Sequence, residues 1–203
     1  PVRICASPIY DKEGQLIGGL ETFHDITQEV SALQEIDSLK EAALVCPTTG
    51  VGNRSYCEKV LDGELHKIAA GGAALGVVVF SIDNFDAYSE KFDHKVGDIV
   101  LKIVARTIST DLRAFDFVGR WEGEEFVIVL PRVTPTLLVE TANRLKTLIA
   151  TSSTEVTKGK LAVTVSGGAT LAKSGENPGE LVARAAKLMY AGRKDGNNQV
   201  TIG

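Results

Sequence analysis

The sequence predicts an α+β domain on a mixed sheet, and three observations carry that expectation. Helical and strand patterns interleave through residues 47–203. Two short apolar runs, Phe117–Trp121 and Phe126–Leu130, are separated only by Glu122–Glu125, a spacing that demands an antiparallel hairpin. Val77–Ile82 is a β-branched run of the kind a buried strand needs. Composition is ordinary for a globular chain: 203 residues, 44% hydrophobic and 24% charged, which excludes a disordered or collagen-like protein. That length suits one full domain plus an appendage and is too short for two independent enzymatic domains. A net charge of −4 argues against a broad nucleic-acid surface. The longest apolar stretch, Ala73–Phe80, falls far short of a ~20-residue bilayer span. Neither nucleic acid nor membrane is expected as a partner.

From the N-terminus, residues 1–27 read as two strands about a turn. Val2, Ile4 and Ala6 alternate, Asp11–Gly14 supplies the turn, and Leu16–Phe23 resumes extended structure. A lone hairpin is marginal in water, so this one must pack on something. Its pattern, ending in His24-Asp25-Ile26-Thr27, resembles the last two strands and exit motif of a PAS sensor domain. The other reading is an ordinary hairpin lying on the main domain. Residues 28–46 follow as a linker helix, free of Gly and Pro, with Val30/Leu33 and Ile36/Leu39/Ala43 at three-to-four spacing. Such a seam suits a signalling helix that either dimerises or packs on its own domain. Pro47 stops it, because proline disfavours helix in the residue before it. With Pro1 where Met would begin a chain, the sequence reads as a piece of a longer protein with a fused sensor domain upstream.

The main domain spans 47–203. A helix is expected over Tyr56–Ile68, a break at Gly71-Gly72, and then the strand Val77–Ile82. Val96, Ile99, Val100, Ile103, Val104, Ile108 and Leu112 keep helical spacing. The hairpin follows, closed by Pro131, then a helix over Leu137–Ile149, a strand over Leu161–Ser166 and a helix over Leu181–Met189. Trp121, Phe126 and Val127–Leu130 read as core; His24 and His66 read as surface or capping residues. Three cysteines, Cys5, Cys46 and Cys57, lack any CxxC spacing. They fit a reducing, cytoplasmic setting, with Cys57 a buried thiol.

Chemistry concentrates at two places. The hairpin tip Glu122-Gly123-Glu124-Glu125 gathers three carboxylates, which suits a metal site or a solvated acidic turn. The strand Val77–Ile82 runs into Asp83, Asp86 and then Asp93-His94-Lys95-Val96-Gly97-Asp98. A strand end bringing acids beside an acidic tip fits a Mg²⁺–triphosphate site.

These residues also carry a resemblance. Arg120-Trp121-Glu122-Gly123-Glu124-Glu125-Phe126 through Pro131 resembles the signature hairpin of the GGDEF domain, the catalytic domain of diguanylate cyclases. Pro47-Thr48-Thr49-Gly50-Val51-Gly52-Asn53-Arg54 resembles the family's opening "DPLTGLPNR", and His94-Lys95-Val96-Gly97-Asp98 matches "HxxGD". Ser166-Gly167-Gly168-Ala169 resembles "SIGVA", and 185–200 resembles the closing "ADxALYxAKxxGRNxV". The resemblance implies a five-stranded mixed sheet wrapped by helices. It also implies one GTP per domain, and a homodimer, formed through the domain face or the linker helix, that joins two GTP into cyclic di-GMP.

It further implies that Mg²⁺ is held by residue 81, the Ile82 carbonyl and Glu124, with Gly123, Glu124 and Glu125 catalytic. Ser89, His94, Asp98 and Arg193 fall at substrate-binding positions. Several departures weaken that assignment. Ser81-Ile82-Asp83-Asn84-Phe85-Asp86 stands where "DIDxFK" belongs, so a neutral hydroxyl replaces a hard anionic ligand. Asp83 is expected to point away from the metal. Ser89 replaces an Asn, Asp86 a Lys and Asn197 an Arg, while Glu122 adds a carboxylate where a glycine lets backbone approach phosphate. One site keeps its residues: Arg113-Ala114-Phe115-Asp116 falls at the family's RxxD inhibitory position. An Arg there can fork onto guanine or phosphate, and an Asp can accept from guanine N–H groups; a helix-end salt bridge is the other reading. Two functions stay open: a catalytically impaired domain that binds cyclic di-GMP or GTP as a regulatory module, and an active diguanylate cyclase that tolerates Ser81.

Overall fold

The computed structural model describes residues 1–28, 30–31, 44–87, 94–156 and 159–203, with backbone only at 94–95, 153–156 and 159–161. The chain divides into two units, Pro1–Ala43 and Leu44–Gly203. Most of the expected linker helix lies outside the described residues. In the first unit, β1 (Val2–Tyr10) and β2 (Leu16–Asp25) pair antiparallel from Val2↔Asp25 onward. Asp11 closes the turn by accepting from the Glu13 and Gln15 amides, and Gly14 supplies a φ of 81°. Asp25 then accepts from the amide and hydroxyl of Thr27, which hold its carboxyl below the usual range. That cap starts a helical turn, with Val30 N donating to Ile26 O.

The second unit is a five-stranded sheet in the order β4-β5-β3-β8-β9, all antiparallel except β8 with β9. Its strands are β3 (Leu75–Ile82), β4 (Phe117–Glu122), β5 (Glu125–Pro131), β8 (Val165–Leu171) and β9 (Val200–Ile202). A separate small hairpin comprises β6 (Ser153–Val156) and β7 (Gly159–Ala162). Among the described residues four helices cover the sheet: α1 (Arg54–Ala69), α2 (His94–Asp111), α3 (Pro135–Thr151) and α4 (Pro178–Arg193). They begin a few residues ahead of the apolar periodicity because caps precede it. Asn53 caps α1, Thr134 caps α3 ahead of Pro135, and Asn177 with Glu180 forms a reciprocal capping box on α4.

Alternation along β3 divides the core. Val78, Phe80 and Ile82 face α2 and α3, packing with Val104, Ile108, Leu138 and Leu145. Val77 and Val79 face α1 and α4, packing with Leu61, Leu181, Ala185 and Met189. Each fully buried side chain of this size contributes about 1.5–3 kcal/mol. Glycines set how closely α4 approaches. A Cβ on Gly168 would overlap the Ala185 carbonyl, and one on Gly167 would meet the Phe80 ring. Gly168 therefore seats α4 on β8, while Gly167 makes room for Phe80 on the opposite face.

Two expectations need correction. The strand placed over Leu161–Ser166 is really two, the end of β7 and the start of β8. Thr164 lies between them and turns its carbonyl to Asp83 N at 2.9 Å. Trp121 is half-buried rather than core, and the Arg54 guanidinium lies over it, 4.7 Å from its ring centroid.

Candidate functional site

The C-terminal end of β3, the β4–β5 tip and the last turn of α4 meet at one corner of the sheet. Register places Ser81 opposite Glu125 on one side and Ser166 on the other. Directly paired residues share a face, so all three project toward α4. At the tip, Glu122 pairs with Glu125 across a two-residue turn, and Gly123 takes a φ of 51° that a side chain would resist. Arg120 braces this turn: its Nε donates to Gly123 O at 2.7 Å, and its Nη1 reaches Cys46 Sγ at 3.7 Å. An open cleft of about 220 Å³ is lined by Glu122, Gly123, Glu124, Glu125 and Tyr190. Tyr190 donates its hydroxyl to Glu125 Oε1 at 2.5 Å. That bond, burial and the charges of Glu125 and Glu124 push the phenol up to about 12. The Glu122 carboxylate, expected to crowd phosphates, instead turns outward to Arg54, 3.4 Å away, and its side chain is 75% exposed.

Behind the tip, Asp83 is the hub of a buried polar cluster. It accepts from Thr164 Oγ1 at 2.8 Å, Ser166 Oγ at 2.7 Å and the Asn198 amide at 3.0 Å. Arg193, the last residue of α4, contacts Asp83 Oδ1 at 3.4 Å and donates through Nη2 to Ile82 O at 2.7 Å. The expectation that Asp83 points away from residue 81 is wrong. Residues two apart on a strand share a face, and Ser166, which faces Ser81, is bonded to Asp83. Its four partners, not its direction, occupy this carboxylate. Arg193 likewise points inward to backbone and Asp83 rather than outward into the cleft. Ser81 is 1% exposed, and its hydroxyl has no hydrogen-bond partner among the described residues.

The remaining site positions are spread out. Asp98 is exposed on α2, His94 begins that helix, and Ser89 lies outside the described residues. Asp86 and Asn197 are exposed. Arg113 and Asp116 form a tight turn after α2. Asp116 Oδ2 accepts from the Arg113 amide at 3.0 Å, and Asp116 N donates to Arg113 O at 3.0 Å. This is backbone capping and not the salt bridge that was the other reading. The Arg113 side chain is exposed and has no ion-pair partner among the described residues. Beside it Phe115 is 76% exposed, with the Arg132 guanidinium 5.9 Å from its ring centroid. Tyr190 and Arg54 were missed by sequence reasoning. For Tyr190 a signal existed, since it lies three residues before Arg193 on one helix.

A family model described as "Diguanylate cyclase, GGDEF domain" matches residues 43–199. The chain belongs to the GGDEF family. Diguanylate cyclase DgcP of Pseudomonas aeruginosa is 31% identical over 191 residues, covering 93% of this chain and 28% of that protein. Diguanylate cyclase DgcM of Escherichia coli is 34% identical over 179 residues, covering 87% of this chain and 42% of its own. The chain thus spans less than half the length of these curated relatives. Among solved structures, the GGDEF domain of DgcB from Caulobacter crescentus in complex with c-di-GMP has a TM-score of 0.75 at 28% identity, covering 79% of this chain and 93% of its own. The coiled coil and GGDEF domain of DgcB has a TM-score of 0.81 at 26% identity, covering 87% and 95%. The five-stranded mixed sheet is that of these neighbours.

GGDEF diguanylate cyclases generally use Mg²⁺, so the fit of this corner to a divalent ion can be tested residue by residue. Ser81 brings no charge and is buried. The Ile82 carbonyl accepts from a guanidinium. Of these three positions only Glu124 offers an anionic oxygen. Among the described residues no three His, Cys, Asp or Glu side chains gather closely enough to hold a metal. A hard divalent cation needs several oxygen ligands with compensating charge, and this GGDEF corner does not supply them.

Proposed function

We propose that the chain is a regulatory GGDEF domain that binds cyclic di-GMP through Arg113 and Asp116 and condenses GTP poorly or not at all. The observation that carries this is the Arg113–Asp116 turn. It is already folded by its own backbone bonds, so the exposed guanidinium and the remaining carboxylate oxygen are presented without a reorganisation cost. The c-di-GMP complex of the similar DgcB domain supports the ligand class. Bidentate Arg contacts to guanine or phosphate contribute ~1–3 kcal/mol each. Calorimetry with cyclic di-GMP tests the reading: Arg113→Ala should weaken binding about tenfold to a hundredfold. Absence of heat with the wild-type domain at high micromolar ligand, or equal affinity of the variant, overturns it.

The second reading, an active cyclase, is favoured by the intact Gly123-Glu124-Glu125 turn with its braced geometry. Incubation with GTP and Mg²⁺ or Mn²⁺ followed by chromatography decides between them. In the regulatory reading residues 1–27 end a PAS sensor and 28–46 form a signalling helix. The likeness to a coiled coil joined to a GGDEF domain supports that linker. GTP at Ser89, His94, Asp98 and Glu124, and a homodimer through the helix or domain face, complete the proposal.

A further inference from the structure

The metal corner holds a cation that belongs to the chain. Arg193 Nη2 lies 2.7 Å from the Ile82 carbonyl, the backbone oxygen that would otherwise be a metal ligand. Its charge is anchored on Asp83, whose side chain is 1% exposed, while its own is 24% exposed. Thr164, Ser166 and Asn198 hold Asp83 on its other lone pairs, so the carboxylate cannot swing away to serve an incoming ion. Arg193 also ends α4, where the partial negative charge of the helix terminus favours a cation. Tyr190, one turn earlier, pins the same helix end to Glu125. Opposite, Ser81 leaves a buried hydroxyl with no partner among the described residues, so there is no anion at residue 81 to draw a second cation in.

We propose that Arg193 takes the place of the divalent cation in this domain: its guanidinium excludes the ion from the Ser81–Ile82–Glu124 corner. Exclusion has two causes that act together. One of the two acceptor lone pairs of the Ile82 oxygen is used by an N–H, and a fixed positive charge within bonding distance of that oxygen repels a second one. Restoring an acid at residue 81 is then insufficient by itself, because the new carboxylate neutralises Arg193 before it gathers a metal. The proposal rests on reading this corner as the family's metal position, but not on nucleotide binding. Its test therefore uses the metal alone.

Mn²⁺ titration followed by electron paramagnetic resonance reads bound against free ion directly. The wild-type domain should hold no Mn²⁺ up to about 1 mM, the weak end of carboxylate oxygen sites. Ser81→Asp should behave like wild type. Ser81→Asp with Arg193→Gln, which keeps an N–H donor and removes the charge, should bind at least about tenfold tighter than Ser81→Asp alone. Arg193→Lys in the Ser81→Asp background keeps the charge and should stay silent. Thermal melts confirm that each variant is folded. Submillimolar Mn²⁺ binding by the wild type overturns the proposal. So does equal binding by Ser81→Asp with and without Arg193→Gln, including the case in which the folded double variant binds none. Cyclic di-GMP affinity at Arg113 is a separate measurement, so failure of one reading does not disguise failure of the other.

Discussion

The sheet corner and the Arg113–Asp116 turn are both polar, both lie next to the signature hairpin, and use their charges in opposite ways. At the corner the charges of Arg193, Asp83 and Glu125 are spent inward. Arg193 is bonded to Ile82 and Asp83, Asp83 has four partners, and Glu125 accepts from Tyr190. At the turn one Asp116 oxygen is engaged by the Arg113 backbone amide, and the guanidinium is left exposed. The contrast teaches that charged residues in a family motif report a site only when their partners leave them available. A satisfied buried cluster holds the fold; a preformed turn with a free guanidinium can hold a ligand.

The largest expected effect breaks the inward cluster. Asp83→Ala strands Arg193 and leaves Thr164, Ser166 and the Asn198 amide without their acceptor. It should cost about 3–5 kcal/mol, the range for removing one partner of a buried pair, measured by urea denaturation. A loss under about 1 kcal/mol would show that the corner is loosely held. Gly168→Ala attacks the same region from beneath. The added methyl meets the Ala185 carbonyl, α4 lifts, and a loss of about 1–3 kcal/mol or more is expected.

Arg113→Ala sharpens the contrast, since stability should change by no more than about 0.5 kcal/mol even though ligand binding falls. Comparing its melt with that of Asp83→Ala separates holding from binding. Tyr190 gives a pH readout at the corner. Its folded value of about 12 stands above the ordinary 10.0, so the neutral phenol's contribution is fully present below pH 10.0 and is lost as pH rises toward about 12. Tyr190→Phe should flatten that alkaline decline; an unchanged decline would assign it elsewhere. Glu122→Gly is a small effect as well. It removes an exposed pair with Arg54 at 3.4 Å and should move stability by under about 1 kcal/mol.

Local pattern made much of the fold legible. The four-residue gap after Trp121 fixed the hairpin, and periodicity in 96–112 fixed α2. The RxxD offset located the turn, although not the backbone bonding that shapes it. What escaped depends on contacts between distant segments. Asp83 meets Thr164 and Asn198, which are 81 and 115 positions away, and no spacing announces that. The direction of Arg193 follows from where α4 ends relative to β3, and Gly168 of β8 sets how closely that helix approaches. β9 has only three residues, too short to show a strand period. The β6–β7 hairpin pairs outside the main sheet, and its four-residue strands are too short to show a period.

Arg120 has a consequence of a mechanical kind. One side chain grips the Gly123 carbonyl in the signature turn and the thiol of Cys46, 74 positions earlier in the chain. The neighbouring backbone is clamped as well, with Arg120 N donating to Gly52 O at 2.7 Å and Cys46 N to Val51 O at 2.8 Å. The start of the second unit and the tip of its hairpin are therefore joined by direct polar contacts. The link from residue 46 to Gly123 runs through this one guanidinium and bypasses the hydrophobic layers between the helices and the sheet.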